Sequence, residues 1–405
     1  MQNVLNNRDH CMGCSSCSQR CPTQCISMLP DSEGFLVPVI DQSRCTDCGQ
    51  CRKACPVYQS MENNEISITS TNPLIEPKVY AAWSLDEAIR LKSSSGGLFS
   101  VLAEDCIKKG GTVFGAAFDD DFTVHHVGIT EITELDSLRR SKYVQSAIDG
   151  SYRQAETLLK KGTPVLFAGT FCQIAGLMTF LGRDYPSLLT LDMACHGAPS
   201  PKVWSLYLDQ LKAQFSSDIK AISFRDKRDG WLKYCMKIDF MNGQTYSDSA
   251  FKETFFLGYG KNLFSRKSCS DCHFRYPHAK ADITLADFWG IDKLSGIDVS
   301  ENKGVSLLLI HTPKGEAALK KIEEDIFLQE RSFKEAVTGN PRITTSCRMP
   351  KARAKFFKEI NYGKSFYKIQ QKYMSQSGLR QRLKRVLKSV LSPKLIDKLN
   401  KLRVL

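Results

Sequence analysis

No apolar run in the sequence approaches the roughly 18 residues that a membrane-crossing helix needs, and the opening, MQNVLNNRDHC, lacks the apolar stretch of a secretory signal. A cytoplasmic protein is therefore expected. A GxGxxG fingerprint and a P-loop are also missing, which withdraws direct support from a Rossmann NAD site and from an ordinary nucleotidase. The last thirty residues contain no aromatic side chain and no base-reading motif, so nucleic acid is not an expected partner despite a net charge of +13. That charge is local: residues 342–405 hold 18 Lys and Arg against only Glu359 and Asp397, while residues 1–341 sum to −3.

What the sequence does have is cysteine, 16 of them in 405 residues. Disulfide frameworks belong to small exported domains, so in a long chain of this kind the thiols read as metal ligands. Cys11, Cys14, Cys17 and Cys21 recur 34 positions later as Cys45, Cys48, Cys51 and Cys55, and each fourth cysteine precedes a proline, Pro22 or Pro56. C-x2-C-x2-C-x3-C-P is the ferredoxin run, in which three close thiolates wrap one [4Fe-4S] cubane and the fourth crosses to the other. On that rule cluster one takes Cys11, Cys14, Cys17 and Cys55, and cluster two takes Cys45, Cys48, Cys51 and Cys21. A pair of zinc knuckles would leave the third and fourth cysteines without purpose. Cys25 lies outside the pattern and is expected to pack as a small apolar residue. Between the halves, ISMLPDSEGFLVPVID reads as a hairpin.

Residues 60–77 are polar, aperiodic and hold two prolines, so a linker is placed there. Beyond it, β-rich runs (VYAAW, TVFGAAF, PVLFAG, LLTLDMA, IKAISFR, YCMKIDF, DITLAD, VSLLLIH) alternate with amphipathic stretches. Helices are predicted at 97–109, 149–161, 172–181, 201–215 and 314–325. Some strand pairs have no helix between them, which predicts a mixed sheet. The expected architecture is an α+β ferredoxin-like dicluster domain (1–59), the linker, a larger α/β domain with a mixed sheet (78–341), and a helical basic tail (342–405). Several segments follow predicted strands, where α/β sheets place ligands. The Lys92–Gly97 loop opens a helix, as phosphate sites do, although an N-capped helix start reads the same way.

Taken in order, SSSGG at 93–97, SKYVQS at 141–146, GTFCQIAGL at 169–177, CHGAPS at 195–200, CSDC at 269–272 and ADITLADFWG at 281–290 resemble the coenzyme F420 hydrogenase/dehydrogenase beta-subunit family. The resemblance covers roughly residues 78–340, and a fused ferredoxin module is a common architecture there. Phe171 stands where that family usually has proline and Ala286 where it usually has glycine; neither change removes a ligand. The resemblance implies FAD, with Ser94, Ser95, Gly96, Gly97, Ser141, Lys142 and Tyr143 near its phosphates and ring, and with Gly169, Thr170, Gln173 and Asp287 also at the cofactor. It further implies a third [4Fe-4S] cluster on Cys172, Cys195, Cys269 and Cys272. A structural zinc on the same four thiolates and four independent buried cysteines stay open as alternatives. Cys106, Cys235 and Cys347 fit no ligand set and are expected to pack.

The function expected from this resemblance is an iron–sulfur flavoprotein oxidoreductase. Electrons would pass between a ferredoxin-like or reductase partner and a small organic substrate, with surface-polysaccharide biosynthesis a setting to consider. The alternatives are a coenzyme F420 oxidoreductase subunit and an electron-transfer subunit with no substrate of its own. A cubane moves single electrons whereas a flavin handles one or two, so the pair converts between the two currencies. His196, Asp287 and Lys142 stand where a proton donor would be, though a structural or cofactor contact is the expected role of each. In the tail, LRQRLKRVLKSVL (379–391) puts Leu379, Leu383, Val386, Leu387, Val390 and Leu391 on one helical face opposite Arg and Lys. Such a helix lies on an anionic membrane as a peripheral contact at its inner face, grips an acidic partner, or docks on the body.

Overall fold

The computed structural model describes residues 3–62 and 76–375. Most of the expected linker and the amphipathic stretch 379–391 lie outside the described residues. In the N-terminal part, β1 (Ile26–Pro30) and β2 (Leu36–Ile40) pair antiparallel as the expected hairpin. Asp31 sets the turn: its Oδ1 accepts from the amides of Glu33 and Phe35, both at 2.9 Å. The turn aims Phe35, 1% exposed, into the same hydrophobic cluster of the larger domain that holds Trp204 and Phe224. The hairpin tip is therefore a plug holding the two parts together.

The larger domain is built on β3 (Lys78–Ser84), β4 (Thr112–Phe118), β5 (Val124–Ile129), β6 (Val165–Thr170), β7 (Leu188–Met193), β8 (Ile219–Asp226), β9 (Cys235–Phe240), β10 (Thr245–Ser249), β11 (Ile283–Asp287), β12 (Ser306–Ile310) and β13 (Ile326–Arg331). Eight of these form one mixed sheet in the order β13-β3-β12-β11-β7-β6-β4-β5. Its centre, β11-β7-β6-β4, is parallel, and the flanking pairs are antiparallel. β12 reads SLLLI and is buried at every position, as a strand covered on both faces must be. The C-terminal ends of β3, β6, β7 and β11 share one edge, and every segment of the family resemblance gathers toward it.

The predicted strands IKAISFR and YCMKIDF are β8 and β9, and with β10 they form a separate antiparallel sheet of order β10-β9-β8. The helix Pro201–Phe215 covers it through Trp204, Tyr207, Leu208 and Leu211. β5, β10 and β13 escaped prediction because VHHVGI, TYSDS and IFLQER carry too few apolar positions in alternation; all three are edge strands. The helix predicted at 314–325 stops at Lys321 and continues as a tighter turn, Glu323–Asp325. Three successive acids at its negative end disfavour further α-helix. The tail boundary also moves. Ala352–Asn361 buries Phe356, Phe357 and Ile360, and Ile369 and Met374 join the same core, so residues 352–374 are built into the body. Arg353 there pairs with Glu33 of the hairpin, Nη1 to Oε1 at 2.8 Å.

Candidate redox site

The 34-residue repeat is visible in the backbone. Gly13 and Asp47 have φ of +68° and +54°, and Ser15 and Gly49 have +62° and +70°, so equivalent positions of both cysteine loops are left-handed. Alternation of this kind turns successive amides inward, forming a concave nest suited to an anionic cluster. The amide of Gly13 already donates to Cys11 Sγ at 3.4 Å. Cys11, Cys14, Cys17 and Cys55 come together: burial, then mutual repulsion, raises the Cys14 and Cys17 thiols well above their ordinary range, and burial pushes Cys55 to about 12. Cys21, Cys45, Cys48 and Cys51 line a common cavity with Cys25. These are the two groups the ferredoxin rule assigns. The first set fits a cubane, because the buried, clustered thiols of Cys14, Cys17 and Cys55 need a cationic centre before they can ionise.

Cys172, Cys195, Cys269 and Cys272 are also gathered. Cys172 lies in the first turn of the helix Phe171–Leu181, Cys195 follows β7, and Cys269 and Cys272 bracket a tight turn. Burial and the neighbouring thiols push Cys172 up to about 11, Cys195 to about 12 and Cys269 well above its normal value. The amide of Ala198 donates to Cys269 Sγ at 3.3 Å, and Thr170 Oγ1 lies 3.3 Å from Cys172 Sγ. Among the described residues, no three His, Cys, Asp or Glu side chains are placed to hold one metal ion. Ligands of a single tetrahedral zinc stand about 3.8 Å apart, from zinc–sulfur bonds of about 2.3 Å. A cubane takes each sulfur on a different iron and accepts a wider set. Cys347, expected merely to pack, is buried beside this group, with its Sγ 3.3 Å from the Cys269 carbonyl.

Sets one and three touch across the domain boundary. An added Cβ at Gly176 would lie 2.9 Å from Cys14 Cβ and 3.0 Å from its Sγ, so only glycine lets the helix Phe171–Leu181 approach this closely. Thr179 Oγ1 and Ser16 Oγ share the Ala54 carbonyl at 2.8 and 2.7 Å. Gln19 Oε1 accepts the amides of Tyr152 and Arg153, capping a helix of the other domain. Arg266 donates to the carbonyls of Cys11 and Leu36 at 2.7 and 2.9 Å.

The residues expected at FAD divide into two networks. Ser94, Tyr143 and Asp287 converge on Arg225, a buried residue that sequence reasoning missed; its guanidinium pairs with both Asp287 oxygens at 2.7 and 2.8 Å. Arg225 also donates to the Tyr143 hydroxyl at 3.1 Å and the Ser94 carbonyl at 3.2 Å, and Trp231 Nε1 donates to Asp287 at 2.6 Å. Ser94 Oγ accepts the Ser141 amide at 2.9 Å. An arginine interrupting the apolar strand IKAISFRD was the available signal. Ser95 and Gly96 bond Val305 and Ser306, clamping the loop to β12. Gly97, at φ +96°, opens the helix Leu98–Lys108, whose N-terminus has no side-chain cap. Lys227 holds the same loop through the Ser95 carbonyl at 2.6 Å.

Lys142 and Asp287 are engaged in hydrogen bonds, whereas His196 Nε2 is buried without a hydrogen-bond partner. The Lys142 ammonium donates to the carbonyls of Ser137 and Arg139, and burial lowers it to about 7. His196 is held neutral by burial, down to about 4, and lies against the Tyr259 ring, which meets Tyr143; this aromatic file runs from the Arg225 network to Cys195.

In the second network Thr170 and Gln173 form a reciprocal capping box directly after Gly169, and Gln173 Nε2 reaches Ser146 Oγ at 2.9 Å. Ser146 meets His126 Nδ1 at 2.9 Å, and His126 Nε2 meets the Ala168 carbonyl at 3.0 Å. Burial lowers His126 from 6.5 to about 4. The unfolded chain then takes the proton first, so stability present above pH 6.5 is lost as pH falls toward 4, by about 3 kcal/mol at one site. Urea midpoints across that range should fall steeply in the native chain and less steeply in His126→Asn.

Residues 162–336 match the family described as the C terminus of the beta subunit of coenzyme F420 hydrogenase/dehydrogenase, and residues 10–58 match the 4Fe-4S dicluster domain. A 65-residue segment is 34% identical to an uncharacterized polyferredoxin-like protein of Methanocaldococcus jannaschii, covering 14% of this chain and 38% of that protein. The match thus spans well under half of that relative. A solved chain of the F420-reducing [NiFe] hydrogenase complex of Methanosarcina barkeri, studied with xenon, aligns over 70% of this chain and 99% of its own, at 16% identity and TM-score 0.45. Among the described residues no helix is long and apolar enough to cross a membrane.

Proposed function

We propose that this chain, whose residues 10–58 match the 4Fe-4S dicluster domain and whose residues 162–336 match the C terminus of the coenzyme F420 hydrogenase/dehydrogenase beta subunit, is an iron–sulfur flavoprotein oxidoreductase with three cubanes and one FAD. The three thiol sets would hold the clusters and the loop at 93–97 the flavin, and these groups would supply electron transfer between a ferredoxin-like or reductase partner and a small organic substrate. The observation that carries this reading is the packing of Cys14 on Gly176, one helical turn from Cys172, which brings the first and third thiol sets side by side.

The uncapped helix start at Leu98 and its neighbours Ser94, Ser95, Gly97 and Ser141 would hold the FAD phosphates, and Tyr143, Arg225 and Asp287 would hold its ring. Bound there, FAD would supply conversion between single-electron and two-electron transfer. Arg225 and Trp231 hold Asp287 rigid, and the Tyr143–Tyr259–His196 file leads toward Cys195. The matched domain favours deazaflavin F420 as the substrate to try first, ahead of a sugar- or isoprenoid-linked compound of polysaccharide synthesis.

The test is anaerobic purification of the full chain with iron, acid-labile sulfide and released flavin counted per chain. About twelve irons, about twelve sulfides and one FAD are expected. About eight irons without flavin, even after FAD is added back, would overturn the proposal. Mixing the loaded protein with reduced ferredoxin and F420, and following loss of the deazaflavin's visible absorbance, then decides the substrate.

A further inference from the structure

Five thiols, not four, line the cavity of the second cluster: Cys25 is there with Cys21, Cys45, Cys48 and Cys51. Its Sγ is 3.4 Å from Cys21 Sγ, and both residues are buried, at 4% and 7% exposure. Cys45 is also within hydrogen-bonding reach of Cys25. This placement is local in origin. Gln24, left-handed at φ +51°, folds the chain back after Pro22, with its amide on the Cys21 carbonyl, so residues 21 and 25 meet at the foot of β1. The repeat has no equivalent thiol in its other half, where position 59 is glutamine.

We propose that Cys25 is a reserve ligand of the second cluster, able to take the iron that Cys21 holds. The inference rests on the cluster assignment above. A tetrahedral metal–thiolate bond is about 2.3 Å, so two sulfurs 3.4 Å apart lie within bonding reach of one iron position. The exchange is balanced and involves no redox change: Cys25 loses its thiol proton as it binds iron, and the departing Cys21 thiolate takes one up. Cys21 is the ligand whose sulfur lies 3.4 Å from that of Cys25, so the tolerance is assigned to its position.

The experiment compares anaerobically purified full-length Cys21→Ala, Cys25→Ala and the double variant with the native chain, reading iron, acid-labile sulfide and the electron paramagnetic resonance of the reduced protein. Both single variants should hold the native iron count, with the cluster-two signal shifted only in Cys21→Ala, while the double variant loses up to about four irons. If Cys21→Ala loses as much iron as the double variant, Cys25 is only packing and the inference fails. Where Cys21→Ala does not accumulate, Cys21→Ser with and without Cys25→Ala makes the same subtraction. Cys48→Ala, checked for native circular dichroism, should lose iron with Cys25 present. A native chain without iron would overturn the function proposed above; the comparison between variants tests Cys25 alone.

Discussion

Replacing Cys269 and Cys272 together by alanine is expected to lower the iron content from about twelve to about eight per chain and to stop electron flow between the dicluster domain and the flavin. The two residues sit on one tight turn facing Cys172 and Cys195, and all four belong to one half-buried group. Removing half of the ligands leaves two thiols that cannot retain a cubane. Clusters one and two should survive, because their eight cysteines all lie in the first 55 residues and their loops are shaped by their own left-handed backbone positions. In stopped-flow mixing with reduced ferredoxin and no dithionite, the cluster bands of the variant should then bleach while its bound flavin stays oxidised. Unchanged iron in this variant would return the four thiols to packing.

Asp287→Ala is expected to destabilise the chain by about 3–5 kcal/mol, the cost of stranding one member of a buried ion pair. Arg225 is 2% exposed at its side chain and Asp287 13%, so water does little to replace the lost carboxylate. Arg225 also lies over the Tyr234 ring, at 3.9 Å from its centroid, where the guanidinium has no room to turn toward solvent. Loss of the carboxylate frees Trp231 Nε1 as well. Urea unfolding should show the drop, and released flavin should fall with it, because Tyr143 and the Ser94 carbonyl are held through the same arginine. The paired variant Arg225→Met with Asp287→Leu should recover most of the stability while leaving flavin binding impaired. That split separates the energetic role of the pair from its role in shaping the site.

The parts legible without coordinates were those whose chemistry is local. The ferredoxin cysteines could be grouped because a cubane draws three ligands from one loop. The strands VYAAW, TVFGAAF and LLTLDMA were found because burial on both faces leaves continuous apolar runs. The resemblance implied a cofactor contact at Thr170 and Gln173, and the fold shows that these two side chains also form a capping box, which only the tertiary partners reveal. β10, TYSDS, and the start of the expected tail were missed for a related reason: a polar edge strand and a basic helix with three buried apolar residues carry weak periodicity.

By itself, then, the sequence determined the two cysteine sets, the hairpin between them, the alternation that builds the larger domain, and the identity of the residues competing for a third site. Tertiary structure alone decided that Gly176 admits Cys14 against the helix bearing Cys172, that Arg225 meets Asp287 across 62 residues, and that Cys25 shares a cavity with its neighbours. The difference is one of range. Spacing within a loop is set by a few backbone dihedrals written into adjacent residues, whereas a meeting between distant segments depends on the packing of every element between them.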